Sequence, residues 1–177
     1  PNIVHSSAYA TMLGVLQPLG YDISVFTMNA KYAGTCQCRR RAFVVGAVGR
    51  ADRLAQAQRM VSAQQTAAKL APPVTVRDIL GPRCGDTIYF PSRNRYHSGV
   101  LSTDRVYPTL RSCRGKCLEP PVSRYEERRE DAGPVSDAFV LDPPSAGLVA
   151  SFPENYCWDV VSRAHAGAAI GNSVPPK

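Results

Sequence analysis

Three consecutive cations, Arg39-Arg40-Arg41, follow Gln37-Cys38 and stand directly before the apolar run Ala42-Phe43-Val44-Val45-Gly46-Ala47-Val48. Arginines fixed at the mouth of a strand can donate to an oxygen on which negative charge develops, which stabilises a transition state. Taken alone, the cluster reads first as a generic basic loop at a strand end. A second cluster, Tyr89-Phe90-Pro91-Ser92-Arg93-Asn94-Arg95-Tyr96-His97-Ser98-Gly99, collects side chains suited to base edges. Arginine reads guanine through two hydrogen bonds, asparagine reads adenine, and tyrosine or histidine stacks on bases or packs on sugars. A surface loop with two solvated arginines is the plainer alternative; the mixture favours DNA contact.

Other chemistries find little support. His5, His97 and His165 lie in unrelated contexts, and no Ser/His/Asp set accompanies them. The six cysteines are Cys36, Cys38, Cys84, Cys113, Cys117 and Cys157. Cys36-x-Cys38 and Cys113-x3-Cys117 depart from the two-residue spacing usual in structural zinc sites, and no histidine lies close in sequence. No metal site is expected, and reduced thiols in an intracellular setting are the default reading.

The elements that must carry these clusters alternate between helix and strand. Tyr9, Met12, Leu13, Leu16 and Leu19 have helical spacing over residues 6–19, closed by Pro18-Leu19-Gly20. Residues 21–26 alternate like a strand, and 42–48 suit a buried strand. Helix, strand, loop, strand is a piece of an open α/β sheet. Residues 51–70, rich in Ala and Gln, read as a helix or a mobile insertion, and Pro72-Pro73 ends them. From Gly81 to Arg114 the density of Gly, Pro, Arg, Asn and Tyr predicts loops and short strands. Residues 119–134 read as an exposed charged loop, Phe139-Val140-Leu141 as a strand, and 143–151 as a short helix.

The chain has 177 residues and a formal net charge of +7, unevenly spread. Residues 1–76 carry eight Lys/Arg against two acids, 77–129 eleven against six, and 130–177 two against six. A basic front with an acidic tail suits contact with a polyanion, although solubilising charge would look the same. No apolar run is long enough to cross a bilayer. The start, Pro1-Asn2-Ile3-Val4-His5, lacks both an initiator Met and the pattern of a signal peptide. The expectation is therefore an intracellular fragment, a processed product or the ordered part of a longer protein, with no membrane partner.

In order along the chain stand Leu19-Gly20-Tyr21, Asn29-Ala30-x-Tyr32-Ala33-Gly34, Gln37-x-Arg39-x-Arg41, Tyr107-Pro108-Thr109-Leu110, Phe152-Pro153-Glu154-Asn155-Tyr156 and Gly171-Asn172-Ser173-Val174-Pro175. This series resembles the C-terminal part of the DNA cytosine-5 methyltransferases, from after their Glu-Asn-Val triplet to their final Gly-Asn-x-Val-Pro motif. Two departures are visible. Cys36 replaces the family's proline before Gln37, with one extra residue in that loop, and Ser151 replaces the glycine before Phe152. Glu154-Asn155-Tyr156 looks like the catalytic triplet but sits on the wrong side of the chain, so it reads as a structural turn.

The resemblance implies a partial S-adenosylmethionine-dependent methyltransferase sheet, Rossmann-like, with a small loop-rich target-recognition region. It divides the chain into a core segment over 1–50, an insertion and recognition region over 51–118, and a return to the core over 119–177. It makes Arg41 the donor to the carbonyl oxygen of a flipped cytosine and Arg39 the brace of the pocket wall. Gln37, Arg93, Asn94, Arg95, Tyr96, Thr109 and Arg111 become DNA contacts, with Thr109 at a phosphate and Arg111 as electrostatic support. Asn172 and Ser173 would help hold S-adenosylmethionine. Double-stranded DNA is the implied partner. None of the six cysteines follows a proline, so the Pro-Cys nucleophile and the Gly-rich cofactor loop are expected on a catalytic half, N-terminal or on a partner subunit. The competing expectation is an inactive methyltransferase-derived DNA-binding or assembly protein.

Overall fold

The structure is a computed structural model and describes residues 3–91, 98–112, 118–121 and 125–174. The chain forms two compact units, Pro1–Ala33 with Arg40–Pro72, and Gly34–Arg39 with Pro73–Lys177.

The first unit is a helix, a hairpin and a helix. Helix α1 (Ser7–Leu16) starts where the Ser6 hydroxyl accepts from the Tyr9 amide at 3.2 Å. It runs through a short 3-10 turn to Gly20, whose φ of 81° turns the chain into β1 (Tyr21–Asn29). Strand β2 (Arg40–Val48) returns antiparallel, with Ser24 opposite Val45 and Phe26 opposite Phe43. Helix α2 (Ala51–Leu70) then packs along β1, with fewer contacts to β2. This lopsided cover corrects the expectation of a buried strand over 42–48. Phe43, Val45 and Val48 are all exposed, because α2 covers β1 far more than β2. Phe26 and Leu54 are the buried side chains among the described residues of this unit.

The second unit holds the larger core. Helix α3 (Val76–Leu80) is fixed by a capping box: Thr75 Oγ1 accepts from the Asp78 amide, and Asp78 accepts from the Thr75 amide at 2.8 Å. Arg77 on this helix pairs with Asp86 and Asp104. Strands β3 (Thr87–Phe90) and β4 (Gly99–Ser102) form a second antiparallel hairpin. Phe139 joins β3 through a single parallel bridge, donating to the Thr87 carbonyl and accepting from the Tyr89 amide. The strand expected over 139–141 is thus reduced to one paired residue. Helix α4 (Pro143–Val149) is started by Asp142, which accepts from the Ser145 amide, and by the two prolines behind it.

Helix α5 (Arg163–Asn172) has no counterpart in the sequence reading. Its buried positions are Ala166, Gly167, Ile170 and Gly171, a face too small to give an apolar periodicity. That face lets backbone approach backbone, and α4 packs beside it. The core around these helices includes Val76, Leu80, Ile88, Tyr107, Leu110, Leu118, Leu141, Val149 and Trp158. Each fully buried large apolar side chain contributes about 1.5–3 kcal/mol, so the two units differ greatly in what holds them. Among the described residues, no helix is long and apolar enough to cross a membrane.

A hairpin resting on two buried side chains should open locally before its neighbour unfolds. We expect amides of β1 and β2 to lose hydrogen-exchange protection at denaturant concentrations where the β3 and β4 amides remain protected. Equal protection in both hairpins would contradict this.

Candidate functional site

The segment Gly34–Arg39 belongs to the second unit and is held there along its length. The Tyr107 amide donates to the Cys36 carbonyl at 2.7 Å, and the Cys38 amide donates to the Tyr107 carbonyl at 2.8 Å. These two bonds set Gln37 beside Tyr107 as a parallel bridge. The Thr109 hydroxyl adds a 2.5 Å bond to the Cys38 carbonyl. Cys36 is buried, its thiol facing the Val149 carbonyl, whereas Cys38 is exposed, so the pair does not point into one metal site.

Arg39 completes the attachment. Its side chain is 3% exposed, with Nη1 donating to the Leu110 carbonyl at 2.7 Å and Nη2 to the Gly171 carbonyl at 2.9 Å. A charged donor makes bonds of about 1.5–3 kcal/mol each, and removing it strands buried carbonyls. One guanidinium therefore joins three stretches far apart in sequence: Gln37-x-Arg39, Tyr107–Leu110 and the end of α5. Gly171 needs to be glycine here. A Cβ at that position would lie 2.2 Å from the Ser112 backbone nitrogen and 2.4 Å from the Arg111 carbonyl carbon.

Tyr107 links this wall to the β3–β4 hairpin. Its hydroxyl donates to the Tyr89 carbonyl at 3.2 Å, and its ring stands edge-on to Phe90 with centroids 5.6 Å apart. The opposite strand of the same hairpin is clasped by Asp131 at Val100, the register partner of Tyr89. One carboxylate oxygen accepts from the Val100 amide at 2.8 Å; the other accepts from the Tyr125 hydroxyl at 2.7 Å and the Arg128 amide at 2.8 Å. Arg128 also donates to the Ser98 carbonyl, and Tyr125 stands edge-on to Tyr89. Burial pushes the Asp131 carboxyl up, but the donors on Val100, Tyr125 and Arg128 outweigh it and hold the group below the usual carboxylate range. Burial, then the bond to Asp131, pushes the Tyr125 hydroxyl up to about 12.

The expected site residues fall in different places. Gln37 is 1% exposed, so its position suits bracing of the wall better than contact with a duplex. Thr109 is half-buried with its hydroxyl proton engaged, and Arg111 is exposed. Asn172 is exposed at the end of α5. The Ser173 hydroxyl donates to the Ile170 carbonyl at 2.7 Å, so Asn172 and Ser173 form a helix terminus. Arg41 belongs to the hairpin unit, half-buried opposite Met28, its Nη1 donating to the Arg40 carbonyl at 2.8 Å. Arg93, Asn94, Arg95 and Tyr96 lie outside the described residues.

Residues 2–105 match the model of the C-5 cytosine-specific DNA methylases. The chain belongs to that family. It is 29% identical over 173 residues to the type II methyltransferase M.HgiDI of Herpetosiphon aurantiacus, an alignment covering 97% of this chain and 51% of that protein. Two solved methyltransferases share the fold. Dnmt2 of S. pombe superposes with a TM-score of 0.61 at 15% identity, over 96% of this chain and 59% of its own. EhMeth of Entamoeba histolytica superposes at 0.56 and 13% identity, over 99% and 56%. The α/β architecture is thus a partial methyltransferase fold, and the chain spans about half the length of these relatives.

The Asp131 clasp, and Arg163, which donates to the carbonyls of Leu118 and Leu141, carry no sequence signal that separates them from ordinary surface charges. Gly171 could be found only through the Gly-Asn-x-Val-Pro motif that it opens.

Two outcomes follow for this wall. Gly171→Ala should destabilise the chain by about 2 kcal/mol or more, since backbone on the facing segment must move, and denaturant unfolding measures it. Asp131→Asn should cost on the order of 1–2 kcal/mol near neutral pH. A depressed carboxyl stabilises above its unfolded value of about 3.9. The difference between parent and variant should therefore shrink as pH falls through the lower folded value; a difference that grows in acid would refute the assignment.

Proposed function

We propose that this chain is the DNA-recognition and closing half of a DNA cytosine-5 methyltransferase, acting with a catalytic half that carries the nucleophile. The observation that carries the reading is the Arg39 clasp, which ties together three segments that match family motifs. Its support is geometric: a pocket wall needs a rigid frame before a mobile base can be placed against it.

Chemistry at C5 of cytosine requires the base to leave the duplex. A thiolate then adds to C6, and negative charge builds on the ring and its carbonyl oxygen. Arg41 is the donor to that oxygen. Arg39 is a positioning residue, since its hydrogens are directed at the Leu110 and Gly171 carbonyls. Thr109 and Arg111 lie near a phosphate of the flipped nucleotide, Gln37 braces the wall behind them, and Arg93, Asn94, Arg95 and Tyr96 read the target sequence. S-adenosylmethionine, when bound, supplies the electrophilic methyl group. The exposed Asn172 amide offers donors and an acceptor to it, while the Ser173 hydroxyl secures the helix end beside it.

Residues 1–50 and 119–177 then form parts of the methyltransferase core, and 51–118 the insertion and recognition region. The exposed Phe43, Val45 and Val48 support a hairpin that lies beside further strands in the assembled enzyme. The likeness to M.HgiDI favours a restriction-modification setting, and a DNA substrate favours an intracellular or viral one.

The test is complementation. Co-expressed with a cytosine-5 methyltransferase N-terminal half bearing a Pro-Cys nucleophile, the chain should restore methyl transfer to duplex DNA. Arg41→Ala should lower the rate by about 10²–10³, the usual effect of losing one donor at a developing charge. Alone, the chain should trap no adduct on fluorocytosine-containing DNA. A covalent adduct on one of its own cysteines would overturn the half-enzyme reading. DNA binding without transfer in any complemented pair would favour the inactive DNA-binding protein.

A further inference from the structure

We infer that one end of the hairpin unit, around Tyr32, is a binding site for the phosphate backbone of DNA, with Lys31 and Lys69 as its contacts. Helix α2 runs along β1 in the same direction. The Ser24 hydroxyl donates to Gln58 Oε1 at 3.4 Å, Gln65 Nε2 donates to the Thr27 carbonyl at 3.0 Å, and Lys69 Nζ lies 5.7 Å from the centre of the Tyr32 ring. Lys31 Nζ lies 4.8 Å from the same ring. The strand register brings Arg40 opposite Asn29 and Arg41 opposite Met28. Four cations therefore gather at this end: Lys31, Arg40, Arg41 and Lys69.

Their counter-charges are elsewhere in the unit. Its two carboxylates are Asp22 and Asp52. Asp22 stands opposite Ala47 and accepts from the Arg50 amide at 2.8 Å, and Asp52 lies in the first turn of α2. Seven strand residues separate Asp22 from Asn29, roughly 23 Å at the rise of a β-strand. That exceeds the Debye length of about 8–10 Å at ordinary salt, so the acids do little to neutralise the far end.

The Tyr32 ring attracts each ammonium through its quadrupole, yet it also brings two like charges together. The C-terminus of α2 favours a cation and accounts for Lys69 alone. It does not account for Lys31 on the same ring. An anion received by both lysines removes the repulsion, and a phosphodiester offers that charge. The identification of the anion as DNA rests on the reading of Arg41 as the contact to the flipped base, because Arg41 belongs to the same cluster.

The test uses the full chain and a fluorescent duplex, with binding followed by anisotropy from about 50 to 200 mM salt. Lys31→Gln/Lys69→Gln should lower the slope of log affinity against log salt by about two, about one per lost phosphate contact. Matched and mismatched duplexes should weaken alike. Arg53→Gln, which removes a charge from the acid-bearing end, should leave the slope unchanged. Far-UV circular dichroism checks folding; should the double variant fail it, each single lysine variant should lower the slope by about one. A folded double variant with the parental slope overturns the inference and leaves the functional reading standing. So does a loss with Arg53→Gln equal to that of a lysine variant, which would mark net charge rather than a site. Absence of duplex binding by the parent chain overturns both. The functional reading fails separately if Arg41→Ala leaves a mismatch preference intact while the lysine effect is present.

Discussion

The second unit depends on one cation that is almost wholly out of water. Arg39 sits 3% exposed between the carbonyls of Leu110 and Gly171 and donates to both. Arginine suits the place because its planar fork donates in two directions from one rigid group. A lysine would carry the same charge without spanning both carbonyls. The surrounding backbone bonds between Cys36, Tyr107 and Cys38 hold the segment in line, and the guanidinium fixes its end.

Tyr107 carries the same frame to the β3–β4 hairpin. Tyr107 is a bridge partner of Gln37 and at the same time bonds the Tyr89 carbonyl and packs against Phe90. From there Tyr89 meets Tyr125, and Tyr125 meets Asp131, which returns to Val100 on the opposite strand. Both strands of this hairpin are therefore anchored, β3 from Tyr107 and β4 from the Asp131 carboxylate.

How much of this was legible in the residues depends on the kind of signal each feature leaves. The first helix and the two long strands follow apolar spacing and were readable. So was α4, from Asp142-Pro143-Pro144. Burial of residues 42–48 was misjudged because an apolar run states what a strand can bury and not what covers it. Helix α5 was invisible because Ala and Gly at 166, 167 and 171 earn their place by allowing close approach, which hydropathy does not register. At the site, Gln37-x-Arg39-x-Arg41 could be found by motif, and the resemblance implied Arg39 as the brace, but what the Arg39 side chain grips could not be read. Its partners are two carbonyls 71 and 132 residues away. The Asp131 clasp escaped for the same reason, its donors being backbone amides that every sequence possesses.

The contrast between the two units bears on why the motifs are divided between them. The wall that holds Gln37 and Arg39 has a dense core, with Tyr107, Leu110, Leu118, Leu141 and Ile170 nearly inaccessible to water. The hairpin that carries Arg40 and Arg41 buries only Phe26 and Leu54 among its described residues and leaves Phe43, Val45 and Val48 exposed. Arg40 and Arg41 are fixed in position only as well as the strand that carries them. Two strands and one helix along one edge make a marginal platform by themselves. The exposed apolar side chains of β2 are therefore the part of this chain whose environment matters most for Arg41. Cover over that strand would stiffen the backbone that carries Arg40 and Arg41.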